Sequence, residues 1–325
     1  MTAGSARTSA SAERLRQWAP LLVLAGLCVL IGFFNTNFYS FGNLVRLLNS
    51  AAIPIVLCMG ATFIILMGSI DLSVEGVVAL CAVIASLLVA NDVNQVAIGL
   101  AAVPVALALG GAMGFANGWL HIKLKTPSFM TTLGMGFVGL GIATAILAGL
   151  TVRISDQTFR YLSLGRVFGI PMAVWIALAS FIVAYVIQER TRFGRWIYAI
   201  GTDEVTARQA GIPIERTRIL AFTLAGVFAG MAGVLAAAQF GQGHALIANG
   251  RLFTTVAAIV VGGTALSGGV GSVVNSVIGV LIVVVLANGM VLMGIQPYVQ
   301  QGVQGLLIIA AVALALDRSR LAVVK

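Results

Sequence analysis

The chain is 325 residues long, 60% hydrophobic and only 9% charged, with a mean hydropathy of +1.05, where soluble domains carry roughly 25% charged residues. That balance excludes a soluble globular domain and defines an integral membrane protein. The net charge of +9 does not signal nucleic acid, because the basic residues fall between apolar blocks and form no contiguous basic face.

Ten apolar segments follow one another, at residues 19–35, 50–68, 74–90, 96–119, 129–149, 171–187, 218–239, 252–265, 270–292 and 298–316. A hydrocarbon core about 30 Å thick takes about 20 helical residues to cross. The blocks are too long and too uniformly apolar for barrel strands of about 10 residues, so the spans are helical. The expected fold is an all-α polytopic membrane protein with about ten transmembrane helices. Residues 68–76 and 262–271 separate their neighbours so narrowly that each is either a loop or a helix broken within the membrane, which leaves eight to ten full spans. Residues 1–18 form a basic tail, and the sequence after the first block has no small-residue cleavage site, so the first helix is expected to stay. A transmembrane domain over 19–316 and a tail over 317–325 complete the division.

With both termini on the cytoplasmic side, 14 of the 19 lysines and arginines lie in cytoplasmic segments. The opposite orientation inverts the positive-inside bias, so both termini are expected inside. Cys28, Cys58 and Cys81 sit inside apolar blocks without metal-ligand spacing and read as small hydrophobes. "ANGWLHIKLKTP" (116–127) and "ANGMVLMGIQP" (287–297) echo each other. They read either as the trace of an inverted repeat or as coincidence in an Ala/Gly-rich chain.

The hydrophilic island at 188–217 contains "GTDEVTARQAGIP", a short helix with its ends marked. Thr202 is the expected cap, Asp203 and Glu204 suit the positive end, Arg208 the negative end, Gly211 the left-handed closing position, and Pro213 stops continuation. A helix of about two turns is marginal alone and needs a surface to dock on. Among polar residues within spans, most Ser and Thr are expected to bond their own helix. Asn117, Asn288, Thr131 and Thr132 are the candidates for lining a pathway, since an intramembrane amide demands a partner. Asp71 reads as the cap of a helix beginning near Leu72, with Ser73 beside it and Glu75 in the first turn; the alternative is that Asp71 and Glu75 face the pathway. No nucleophile with its base, no metal cluster and no GxxxxGK[ST] phosphate loop occurs in the sequence, so an enzyme is not expected and ATP is not bound by that route.

Four motifs together, "GSIDLSVEG" (68–76), "KLKTPSFMTTLGM" (123–135), "FGRWIYAIGTDEVTARQAGI" (193–212) and "VGGTALSGGVGSVVNSVIGVLIVVVLANGM" (261–290), carry a resemblance. Over nearly its whole length the chain resembles the permease subunits of ATP-binding-cassette importers of the ribose/xylose/galactose family. The resemblance implies a bacterial inner-membrane protein that pairs with a second permease, identical or related. It also implies a periplasmic or lipid-anchored sugar-binding protein, and a cytoplasmic ATPase that alone binds ATP and Mg. It makes the Gly-x5-Ala-x3-Gly pattern of Gly201, Ala207 and Gly211 the element that rests on the ATPase. The chain departs from the family's Gly-Gly-Ile-Asp-Leu-Ser-Val-Gly at Ser69 and Glu75. Competing readings are an ion-coupled secondary transporter and a permease for amino acids or nucleosides.

Overall fold

The computed structural model describes the backbone of residues 3–296, 298–303, 305, 306 and 309, and side chains from Trp18 onward. The helices are α1 (Ala3–Phe34), α2 (Phe41–Leu66), α3 (Val74–Leu88), α4 (Ala102–Leu124), α5 (Ser128–Leu147), α6 (Gln157–Leu164), α7 (Met172–Arg190), α8 (Arg192–Thr202), α9 (Glu204–Gln209), α10 (Ile214–Phe240), α11 (Arg251–Val261) and α12 (Val273–Leu292). Four two-residue strands make two antiparallel ladders: β1 (Val152–Arg153) with β4 (Gln242–Gly243), and β2 (Arg166–Val167) with β3 (Ile170–Pro171).

Nine of the ten apolar segments coincide with a helix, and the tenth, 298–316, lies mostly outside the described residues. Among the described residues, six helices are long and apolar enough to cross a membrane: α2, α4 with its preceding turn, α5, α7, α10 and α12. The two narrow junctions are breaks in helical structure. Helix α3 has 15 residues and α11 has 11, about 22 Å and 16 Å long, each short of a full crossing.

Helix α10 is the hub, and small residues let it be one. Gly110, Gly114 and Gly118 of α4 face Phe222, Gly226 and Gly230 of α10 so closely that a Cβ on Gly226 would meet the Gly110 carbonyl and lie 3.0 Å from the Gly114 Cα. Lipid tails are as apolar as the helices, so association here rests on close backbone packing. On other faces of α10, Ala225 fits against Gly60 of α2 and Gly233 against Val78 of α3. Ala232 and Val234 through Ala238 are buried all round the helix, the pattern of a helix enclosed by protein.

Two edges of the molecule follow from these contacts. At one, the ends of α3 and α10 meet β1: the Ile154 amide donates to Gly241 O (2.9 Å) and the Ser155 amide to Ala90 O (2.9 Å). At the other, the end of α2, the segment 262–272 and the α8–α9 pair come together.

Candidate functional site

The α8–α9 edge is built from a tight reversal. Helix α7 ends at Arg190 and α8 begins at Arg192, with the Thr191 side chain accepting from the Gly194 amide at 3.2 Å. The sequence reading of one capped helix from Thr202 is corrected here. Thr202 is the last residue of α8 and donates its hydroxyl to Tyr198 O (2.8 Å). The cap of α9 is Asp203, whose Oδ1 accepts from the Val205 (2.9 Å) and Thr206 (3.3 Å) amides and whose Oδ2 accepts from the Thr206 hydroxyl (2.6 Å). A β-region backbone at 203 prevents one continuous helix, and an aspartate there satisfies orphan amides. Glu204 sits in the first turn and Ala207 is buried beneath the helix. Gly211 takes φ +76° as its position required, a conformation that costs other residues about 1 kcal/mol or more.

Glu204 does more than suit a helix start. Its two oxygens bind Arg208 (3.1 Å) and, at 2.7 Å, Arg218 in the first turns of α10, tying the short helix to the hub. These are the two ion pairs among the described residues. The hydrogen bond from the Thr206 hydroxyl, then those from the Thr206 and Val205 amides, hold the Asp203 carboxyl below the usual carboxylate range. A lowered folded-state pKa means that the cap stabilises α9 above the unfolded aspartate value of about 3.9 and is lost as pH falls through the folded value. Asp203→Ala is therefore expected to raise amide exchange across 204–210 at pH 7. Acidifying the wild-type protein through the lowered folded-state value should remove the difference between the two proteins.

The two breaks lie directly on this edge. Gly269 N–H donates to Leu66 O at 2.9 Å, joining break 262–272 to the end of α2. Gly201 stands under the joint, where a Cβ would meet Leu66 O and lie 2.6 Å from Gly269 N. The Tyr198 hydroxyl donates to Gly271 O (2.7 Å), and Gln188, buried at the end of α7, accepts from the Val273 amide (2.7 Å), capping α12 from outside. Thus side chains of α7 and α8 hold the 262–272 break, and Gly201 at the end of α8 lies against the joint between that break and the end of α2, where break 67–73 begins.

Break 67–73 is held from above by α5. The Ile70 amide donates to Ser128 Oγ (3.1 Å), and the Leu72 amide to Thr132 Oγ1 (2.9 Å). Thr132 is buried and its hydroxyl also lies 2.9 Å from Ser128 O, so it braces the break. Thr131 pairs its hydroxyl with Thr126 at 2.6 Å. The assignment of Asp71 as a helix cap is corrected: α3 begins at Val74, and Asp71 Oδ1 instead accepts from the Ser73 amide (2.8 Å) and hydroxyl (2.6 Å) in a local turn that ends the extended stretch. Asn117, fully buried on α4, donates to Ser73 Oγ at 2.8 Å and leaves its own Oδ1 without a partner.

Asn288 lies elsewhere. It forms a reciprocal amide pair with Asn43 of α2, both bonds 3.0 Å, and Asn43 also donates to Phe38 O. Asn43→Leu is expected to destabilise the fold by about 1–3 kcal/mol, the cost of leaving the opposite amide unpaired. A double variant that also replaces Asn288 should recover part of the loss in a detergent melting assay.

Several of these residues were not singled out from the sequence. Tyr198 and Gln188 read there as ordinary members of the island, and Ser128 as a residue after Pro127. A serine four residues before Thr132 is a usable signal, since both fall on one helix face.

The architecture thus defines a polytopic helical protein in which a short helix pair is keyed to the joint between the 262–272 break and the end of α2. The chain belongs to the family described as the branched-chain amino acid transport system / permease component, which matches residues 43–312. It is 33% identical to the ribose import permease protein RbsC of Escherichia coli (strain K12), over 92% of this chain and 93% of that one. It is 34% identical to the L-arabinose transport system permease protein AraH of the same strain, over 95% and 93%, and 31% identical to the ribose import permease protein RbsC of Bacillus subtilis (strain 168), over 94% of each. No solved structure matches the fold.

Proposed function

We infer that the chain is the membrane-spanning permease subunit of an ATP-binding-cassette importer in a bacterial inner membrane, and that it carries a monosaccharide. The observation that carries this reading is near-full-length similarity to relatives named for ribose and arabinose. The family description names branched-chain amino acids, and an amino acid is accordingly the second substrate class to test.

The subunit does transport and leaves ATP hydrolysis to a partner: ATP and Mg belong to a cytoplasmic ATPase, and the chain supplies no cofactor chemistry of its own. The α8–α9 pair, with Gly201, Thr202, Asp203, Glu204, Ala207, Arg208 and Gly211, is the docking element for that ATPase. Its direct contact with the 262–272 break and with the end of α2 supports this role. The charge bias supports cytoplasmic termini, and the nine helical segments with 298–316 support ten membrane-inserted segments, of which α3 and α11 cross only part of the bilayer. The domain limits are 1–18, 19–316 and 317–325, with 188–217 as the coupling loop. Paired breaks before α3 and after α11, with Asn117 and Asn288 near the ends of α4 and α12, support an inverted repeat. Asn117 and Thr132 act at the wall of the pathway by fixing the break at 67–73, as Asp71 and Ser73 do; Thr131 and Asn288 complete the candidate set. A second permease copy or homologue and an external sugar-binding protein complete the complex.

The test is to extract the tagged chain in mild detergent and assay what accompanies it. A vanadate-sensitive ATPase is expected to co-purify, with hydrolysis stimulated by a loaded binding protein. A chain that purifies alone and takes up solute on a proton or sodium gradient contradicts the reading.

A further inference from the structure

Helix α11 starts badly by its own sequence. Its cap position is Gly250, at φ +78° and with no side chain to accept from the first amides. Four N–H groups at a helix start have no partner within the helix. The missing acceptor comes from a residue 177 positions earlier: Glu75 Oε1 accepts from the Leu252 amide at 3.1 Å. Glu75 itself lies in the first turn of α3. One carboxylate therefore stands between the N-terminal ends of two short helices, both of which carry partial positive charge that repels the other. Arg251, the first residue of α11, has no ion-pair partner among the described residues.

The other ends of the two breaks are also joined, through Gly269 N–H and Leu66 O, at the place where Gly201 and Thr202 press on them. The broken segments 67–88 and 251–272 are thus linked both where α8–α9 touches them and at the far point where α3 and α11 begin.

We propose that Glu75 is a positioning residue of the transport cycle, a cap supplied by one broken helix to the other that makes α3 and α11 move as one piece when the α8–α9 pair is displaced. The proposal rests on the permease reading for its consequence in transport, and on geometry alone for the cap. Without the cap, a push at Leu66 and Gly269 still reaches both breaks, but α11 is free to lag behind α3, so ATP is spent without matched movement of solute. An amide retains a carbonyl acceptor at the same reach, so Glu75→Gln keeps the cap and Glu75→Ala removes it.

The experiment compares wild type, Glu75→Gln and Glu75→Ala in the complex with its ATPase and binding protein, measuring uptake per ATP hydrolysed in proteoliposomes and amide exchange over residues 250–254. In Glu75→Ala, uptake per ATP is expected to fall about fivefold or more while hydrolysis persists, and exchange over 250–254 to rise. Glu75→Gln should stay within about twofold of wild type, since a factor of two is only about 0.4 kcal/mol, with exchange protected. Unchanged uptake per ATP in the alanine variant overturns the proposal, as does a glutamine variant as defective as alanine, or exchange that no variant alters. If Glu75→Ala does not accumulate, Glu75→Asp, one methylene too short to reach, takes its place with the same expectations. A wild-type complex without ATP-driven uptake, in which alanine still raises exchange over 250–254, rejects the permease reading while leaving the cap itself standing.

Discussion

Replacing Gly201 with valine is expected to reduce ATP-driven uptake at least about tenfold, a loss of only about 1.4 kcal/mol in the energetics of coupling, while the membrane helices still assemble. The site explains the size of the effect. Gly201 is a helical residue of α8, so valine is not excluded by backbone conformation; what excludes it is the absence of space. The Cβ alone would meet Leu66 O and approach Gly269 N to 2.6 Å, and neither is a flexible side chain that can turn away. The joint between the two breaks must open, and the Gly269 to Leu66 hydrogen bond with it. Alanine makes the same contact with less bulk and should give a smaller defect. The check is uptake measured alongside ATPase association: association retained with uptake lost places the fault in transmission, whereas uptake within about twofold of wild type means that the joint does not carry the motion.

Gly226→Val is expected to have the larger effect on the fold itself, about 3 kcal/mol or more, because overpacking against backbone relaxes poorly. Its side chain would enter the seam where Gly110 and Gly114 of α4 lie against α10, the most extensive helix pairing among the described residues. The measurement is the yield of monodisperse protein and its melting temperature in detergent. A well-folded Gly226→Val protein would mean that α4 and α10 are free to separate, and that the hub described above is not what organises the bundle. Gly134 and Gly141 on α5, where no atom lies within 4 Å of an added Cβ, are the internal control: valine there should be tolerated far better.

The sequence disclosed the membrane class and the apolar segments well, because hydropathy reports burial in lipid and helix length reports bilayer thickness. It also marked the island, the left-handed Gly211 and the acidic start of α9, all local features of capping chemistry. It was less informative where the partner of a residue is distant in the chain. Thr202 read as the cap and Asp203 as an acid of the first turn, whereas the extended backbone at 203 starts the helix one residue later. Asp71 looked like a cap because acids favour helix starts, yet α3 begins later and Asp71 turns the chain locally. Glu75 read as a first-turn acid, and nothing in its neighbours pointed to the Leu252 amide. Pairings such as Asn43 with Asn288 and Gln188 with Val273 span tens to hundreds of residues, and periodicity carries no information about them. The shortness of α3 and α11 is likewise a tertiary outcome: both are apolar, but backbone bonds to Ser128, Thr132 and Leu66 hold the adjoining segments out of helix.

The central claim, that this chain conducts a monosaccharide using the work of a separate ATPase, is tested most directly in proteoliposomes. These would hold the co-purified complex with ATP inside the compartment that its ATPase faces, and a panel of labelled pentoses, hexoses and branched-chain amino acids outside with the cognate binding protein. Accumulation of one monosaccharide that requires ATP, is blocked by vanadate and survives collapse of proton and sodium gradients is the predicted result. Uptake that ignores ATP and follows an ion gradient contradicts the account.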